Sequence, residues 1–371
     1  MVVFPSTSSV SPAVRRFLSA PSSSRTPVRP TARTFATHAQ DNFRIPIIDF
    51  SKYRHATSAA QKAETAQEIV RGFTDVGFIY LTNHGIPDET VKGAFQKSAE
   101  FFRMPIEKKT ELAWRDPRAN RGFVKVGRER VTQSADADEI KQLREKAPDY
   151  KESMEIGRDW DATYKNYWPQ EADAPGFKST MLNFFQTCHD LHVLVMRSIA
   201  LGLRLEESFF DNKINEQYHN LRLLSYPPIK TSLLKKEGTA RAGAHSDYGT
   251  LTLLFQDQVG GLEVQNPHTG QFQAATPVPG TIVINAGDLL ARWSNDVLRS
   301  TLHRVVAPPA NAVSDTEAIT PDRQSIAFFC NPDQGAEISC LPTCLVPGSK
   351  PKYPSVTTED YIVGRLKATY T

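Results

Sequence analysis

Between residues 220 and 330 the chain is cut into short apolar stretches: Asn220–Tyr226, Thr250–Gln256, Leu262–Gln265, Gln271–Ala275, Thr281–Asn285, His303–Ala307 and Gln324–Cys330. Turn signals such as Gly260-Gly261 and Asn266-Pro267 separate them. Runs of this length are strands rather than helices. Many short strands joined by turns predict an antiparallel sandwich or barrel. The predicted class is therefore mainly β with flanking helices. Ahead of the strands, Ala66, Ile69, Val70, Phe73 and Val76 recur at helical spacing, as do Val91, Ala94, Phe95, Phe101 and Phe102 after a capping Asp88. A long helix is predicted from Phe177 to about Leu203, with Phe177, Met181, Leu182, Phe184, Phe185, Cys188, Leu191, Val195 and Ile199 on its apolar face.

Chemistry concentrates in three places. In Ala244-His245-Ser246-Asp247-Tyr248-Gly249, alternation along an extended segment sends His245 and Asp247 to one side. His303, on a later strand, adds a second imidazole. Two imidazoles and a carboxylate on one face of an octahedron leave three positions open, the arrangement a non-haem Fe(II) oxygenase requires. Downstream, Arg323 and Ser325 share a face of their strand. A guanidinium fork and a hydroxyl suit a carboxylate, and Tyr226 is a further candidate hydroxyl.

Seven motifs occur in a fixed order: Asn83-His84-Gly85-Ile86-Pro87, Tyr226-Pro227-Pro228, His245-Ser246-Asp247, Gly260-Gly261-Leu262-Glu263-Val264, Asn285-Ala286-Gly287-Asp288, His303-Arg304-Val305 and Arg323-Gln324-Ser325. Together they resemble the isopenicillin-N-synthase-like branch of the Fe(II)/2-oxoglutarate dioxygenase superfamily, over roughly residues 44 to 371. The resemblance implies a distorted double-stranded β-helix (jelly-roll) barrel with an N-terminal α/β region. It implies Fe(II) on His245, Asp247 and His303, and 2-oxoglutarate anchored by Arg323, Ser325 and Tyr226. O2 would be consumed, succinate and CO2 released, and ascorbate is a candidate reductant. Asp247 stands where halogenases of the wider superfamily carry a small residue, which favours hydroxylation, desaturation or ring chemistry. Leu224, two before Tyr226, stands where plant members often carry Asn, so plant substrates do not transfer.

Two other readings stay open at this stage. One is an oxidase of the same fold that does not consume 2-oxoglutarate, because isopenicillin N synthase uses its Arg-x-Ser for its own substrate. The other is a non-catalytic barrel that binds a small molecule.

Composition narrows the partners. The net charge of +3 misleads, because residues 1–40 hold five Arg and no Lys, Asp or Glu, leaving the body at −2. A slightly acidic body without a basic run gives no reason to propose nucleic acid. No apolar run approaches a membrane span. Four Cys in 371 residues make no disulfide framework, and Cys340 and Cys344 read as ordinary thiols. Expected partners reduce to a small-molecule substrate, with the protein a monomer.

The expected organisation is a transit peptide or disordered tail (1–40), an N-terminal helical and α/β region (41–213), the barrel (214–335) and a C-terminal segment with a closing helix (336–371). The Arg-rich, acid-free composition of 1–40 predicts mitochondrial targeting, with a cytoplasmic location otherwise. Several acids and imidazoles are set aside. His84 reads as a turn residue, and Asp288 as a turn carboxylate bonding backbone amides. Residues 114–175, including Lys151-Glu152-Ser153-Met154-Glu155, read as solvated surface near the active-site mouth. His189 and His192 read as surface or boundary residues of the long helix, since no third ligand is apparent.

Overall fold

Period-two alternation in the apolar stretches builds a large sheet with two chemically different faces. The computed structural model describes residues 43–116, 118–129, 142, 149–234, 240–307 and 318–370. The stretch 1–40 and most of the loop expected at 308–322 lie outside the described residues. The large sheet contains β1 (Ile47–Asp49), β2 (Phe78–Thr82), β3 (Gly122–Val124), β4 (Glu152–Gly157), β5 (Asn220–Tyr226), β7 (Leu251–Gln256), β10 (Thr281–Ala286) and β12 (Arg323–Cys330). Their spatial order is β1-β2-β10-β7-β12-β5-β4-β3. β1 and β2 are parallel, and the other pairs are antiparallel. The second sheet holds β6 (Ala242–His245), β8 (Leu262–Gln265), β9 (Phe272–Ala274) and β11 (His303–Val305) in the order β6-β11-β8-β9. Two stacked sheets, mostly antiparallel, form the jelly-roll barrel.

The inner face of the large sheet meets the second sheet. Phe78, Tyr80, Leu224, Tyr226, Val283 and Ala327 pack there against Ala242, Leu262, Val264 and Val305. The outer face carries Ile79, Leu81, Leu221, Leu223, Leu251, Leu253, Ile282, Ile284, Ile326 and Phe328. Helices α2 (Ala59–Asp75), α3 (Asp88–Phe102) and, above all, α5 (Phe177–Gly202) cover it; α1 (Ser51–Arg54) packs against α2, and α4 (Ile106–Glu111) follows α3. Of the apolar residues predicted for α5 all are buried except Leu182, which is half-buried at the edge of the face. Each buried one contributes roughly 1.5–3 kcal/mol relative to exposure. The remaining helices are α6 (Thr231–Leu234), α7 (Asp288–Trp293) and α8 (Thr358–Tyr370), and α7 follows β10 directly. β13 (Glu337–Ile338) and β14 (Val356–Thr357) form a small separate pair.

Several local expectations need correction. β6 was not anticipated as a strand, and it ends at His245, so Asp247 lies in the turn beyond it rather than on the same strand. Asp88 opens α3 but does not cap it; the cap position is Pro87. Asp288 opens α7, where its carboxylate accepts from Ser300 Oγ and Tyr361 Oη instead of backbone amides. The segment 151–155 is not solvated surface. Lys151, Ser153 and Glu155 are buried, because β4 joins the large sheet beside β5.

Candidate active site

Antiparallel pairing of β6 with β11 sets His245 directly opposite His303, with ring centroids 4.3 Å apart. The turn after β6 swings Asp247 between them. Its Oδ1 lies 3.7 Å from Nε2 of His245 and 3.7 Å from Nε2 of His303. The three potential ligand atoms all fall within 4.8 Å of one another. The other atom of each group is already engaged. His245 Nδ1 is 2.8 Å from the Gly243 carbonyl, and His303 Nδ1 is 3.2 Å from that of Thr301. A backbone carbonyl can only accept, so Nδ1 carries the proton and both Nε2 lone pairs face Asp247. Asp247 Oδ2 accepts from Thr252 Oγ1 at 2.6 Å and Asn285 Nδ2 at 2.8 Å, leaving Oδ1 for a metal. Burial, followed by the neighbouring His303, pushes His245 down to about 3, so it is neutral at physiological pH. Burial opposes ionisation of Asp247, but the two imidazoles and its two donors hold the carboxyl below its ordinary range. This donor set suits a divalent cation.

Two chambers meet at His245 and Asp247. The inner one runs between the sheets past Leu224 and Tyr226 to Arg323 and Ser325. Arg323 is buried, lies over the Tyr226 ring at 4.7 Å, and faces Tyr226 across the β12–β5 register. Its contacts with Ser325 Oγ and Gln256 Oε1 are long, 3.4 Å each, so no tight partner among the described residues holds the guanidinium. The outer chamber is walled by Asn120, Tyr248, Phe329, Asn331 and, from α8, Ile362 and Leu366. Arg222 and Phe329 line both. Arg222 stands 5.3 Å from the Phe329 ring and is paired with Glu155 (2.7 Å) and Glu129 (3.3 Å). Lys151 also pairs with Glu129.

The structure thus brings all six residues singled out in the sequence to one cavity system. Thr252, Asn285, Gln256, Arg222 and Phe329 were missed as site residues. Arg222 had a readable signal, since alternation puts it on the Tyr226 face of β5 and a charge turned inward requires a reason.

Residues 45–171 match the family described as non-haem dioxygenase in morphine synthesis N-terminal. Residues 215–332 match the 2OG-Fe(II) oxygenase superfamily. The chain belongs to the 2OG-Fe(II) oxygenase superfamily. The oxygenase is 35% identical to the 2-oxoglutarate-Fe(II) type oxidoreductase ppzD of Metarhizium majus, over 88% of this chain and 95% of that one. It is 34% identical to the proline hydroxylase buaE of Petromyces alliaceus, over 88% and 99%. Among solved structures it resembles full-length Neurospora crassa T7H in complex with alpha-KG and thymine, at 48% identity and a TM-score of 0.81, covering 89% of this chain and 98% of that one. The oxygenase uses Fe(II), 2-oxoglutarate and O2 to oxidise a small molecule.

A second imidazole cluster lies on the opposite, helical side of the large sheet. His189, His192 and His219 are buried together, contrary to the surface reading of the first two. Hydrogen bonding fixes their protons. The Asn331 amide donates to His219 Nδ1 (3.1 Å), so Nε2 carries the proton and donates to His189 Nδ1 (3.0 Å). Thr250 Oγ1 gives its proton to the Cys330 carbonyl and accepts from His192 Nε2 at 3.2 Å. The oxygenase therefore keeps a proton on His219 where a metal would need a lone pair.

Proposed function

We propose that His245, Asp247 and His303 hold Fe(II), that Arg323 and Ser325 over the Tyr226 ring hold the far carboxylate of 2-oxoglutarate, and that the outer chamber takes a small planar heterocycle of the pyrimidine type. The observation that carries this is the junction of two chambers at His245 and Asp247, one ending in a buried guanidinium and hydroxyl, the other walled by aromatic rings and amides. Phe329 and Tyr248 offer flat apolar surfaces for a ring, while Asn120, Asn331 and Arg222 offer donors and acceptors for its polar edge. Likeness to a protein solved with thymine, and with 5-formyluracil at 45% identity, supports that substrate class over the amino acid that the name of buaE suggests.

Bound iron supplies O2 activation coupled to decarboxylation of the co-substrate. In hydroxylation, substrate C–H, O2 and 2-oxoglutarate become substrate C–OH, succinate and CO2. The protein's own residues perform three tasks. The carbonyls of Gly243 and Thr301 hold both imidazoles in the ligating tautomer; Thr252 and Asn285 keep Asp247 ionised and oriented; the outer chamber sets which substrate bond approaches the metal. The motif order supports placing the protein in the isopenicillin-N-synthase-like branch. The composition of residues 1–40 supports mitochondrial import, which a reporter fused to that segment tests by where it accumulates.

The site assignment is tested by anaerobic reconstitution with Fe(II) and 2-oxoglutarate. A weak visible charge-transfer band is expected, lost in Asp247→Ala and requiring at least tenfold more co-substrate in Arg323→Ala, on the order of one strong charged hydrogen bond. A normal band in Asp247→Ala would remove that residue from the metal. Succinate release with thymine-type bases, compared with free proline, tests the substrate class; release with proline alone would overturn it.

A further inference from the structure

Arg323 is not the sole buried guanidinium at its end of the inner chamber. Arg241, one residue before β6, is completely buried. Its Cζ lies 5.8 Å from the centre of the Tyr226 ring, the ring on which Arg323 also rests. Its Nη2 donates to Thr320 Oγ1 and to the Pro321 carbonyl, 2.7 Å each, just ahead of β12. Its Nε and Nη1 are buried without a hydrogen-bond partner among the described residues, as is Arg323 Nε. Among the described residues no carboxylate forms an ion pair with either group. Two buried like charges sharing one aromatic ring repel, and Asp257 and Asp322 oppose that repulsion at Arg241 only from beyond ion-pair distance, so an anion bound at this end of the chamber would be stabilised. Arg241 does not itself line the chamber; Tyr226 and Ala242 do.

We infer that Arg241 is a positioning and specificity residue for the co-substrate. It adds a second positive charge behind the Tyr226 wall and holds Thr320 and Pro321 so that Arg323 is set for a far carboxylate. This rests on the proposed co-substrate site. The end of the chamber is thereby specific for a 2-oxo acid with two carboxylates. Because Arg241 is also four residues from His245, the same contact ties the co-substrate end of the barrel to the strand that carries a metal ligand.

The test is calorimetric titration of the full-length, Mn(II)-loaded protein with 2-oxoglutarate and with 2-oxopentanoate, which has the same chelating head and no far carboxylate. Arg241→Gln is expected to weaken 2-oxoglutarate about tenfold or more and to leave 2-oxopentanoate unchanged. Equal weakening of both ligands, or an unchanged preference, would overturn the inference. Arg241→Lys, which keeps the charge, is expected to keep the preference within about threefold; if it loses as much as Arg323→Gln, the inference falls even where Arg241→Gln does not fold. Arg323→Gln separates the two levels. If Arg323→Gln keeps the full preference, the co-substrate site itself is wrong; if it loses the preference and Arg241→Gln does not, only Arg241 is wrong.

Discussion

Asp247 divides its two oxygens between two tasks, and its neighbours decide which is which. Thr252 and Asn285 both donate to Oδ2, so Oδ1 is the one aimed at the imidazoles. Removing either donor leaves the ligand in place but lets it rotate and raises its proton affinity. Thr252→Val is nearly isosteric and is therefore expected to fold normally while weakening Mn(II) binding roughly 10–100-fold. Titration calorimetry checks this, and unchanged metal affinity would show that the hydroxyl does not orient the carboxylate. At this scale the sequence pointed to the proposed ligands and was silent about their supporters. His245, Asp247 and His303 are rare residue types in a telling order, whereas Thr252 looks like any strand threonine until the fold turns it inward beneath Asp247.

Strands and turns explain why the site is so tightly packed. Gly249 sits between the His-x-Asp turn and β7, and a Cβ there would lie 2.2 Å from the Cys330 carbonyl oxygen and 2.3 Å from Asn331 Oδ1. The first of these is backbone and cannot move without shifting β12. Gly249→Ala is expected to lower stability by about 1–3 kcal/mol, measured by urea unfolding; a wild-type midpoint would mean that β12 yields freely. Helix α8 acts on the other chamber. Ile362 and Leu366 close one wall of it and are not among the residues lining the chamber that ends at Arg323. Leu366→Ala is expected to raise KM for the substrate several-fold while leaving the 2-oxoglutarate dependence unchanged, by steady-state kinetics. Equal changes in both would contradict the separation of the chambers. Element types and most bounds were legible from periodicity, as β5 and β8 show. β6 was not, because Ala242-Gly243-Ala244-His245 has no apolar alternation and becomes a strand only by pairing with β11.

Across the whole molecule, the two faces of the large sheet carry opposite chemistry. The inner face holds the charged and polar site, and the outer face is an apolar seam with α5, interrupted by the His189, His192 and His219 cluster. Burial, then the neighbouring His189, drives His192 down to about 3, and burial with both neighbours drives His219 well below its ordinary value. Their folded-state proton affinity is below that of the unfolded chain. The stability they permit is therefore complete above about pH 6.5 and is lost as pH falls from there toward 3. His192→Leu removes one such group, and its acid-unfolding midpoint, followed by circular dichroism, is expected to move to lower pH. A midpoint that stays put or rises would show that the hydrogen bond to Thr250 outweighs the burial cost. No helix among the described residues is long and apolar enough to cross a membrane.

The class of the fold and the principal chemistry could be read along the chain alone. Strand periodicity is local, and a His-x-Asp, a later His and an Arg-x-Ser can each be read along one segment. Everything that depends on distant segments meeting is set by packing. Glu155 and Lys151 look like surface charge in a polar stretch, yet pairing of β4 with β5 buries them beside Arg222. His189 and His192 lacked a third partner until α5 was laid on the sheet against His219. Arg241 and Arg323 are 82 positions apart in the numbering and converge on one tyrosine ring. Local pattern says which way a side chain turns; only packing says what it turns toward.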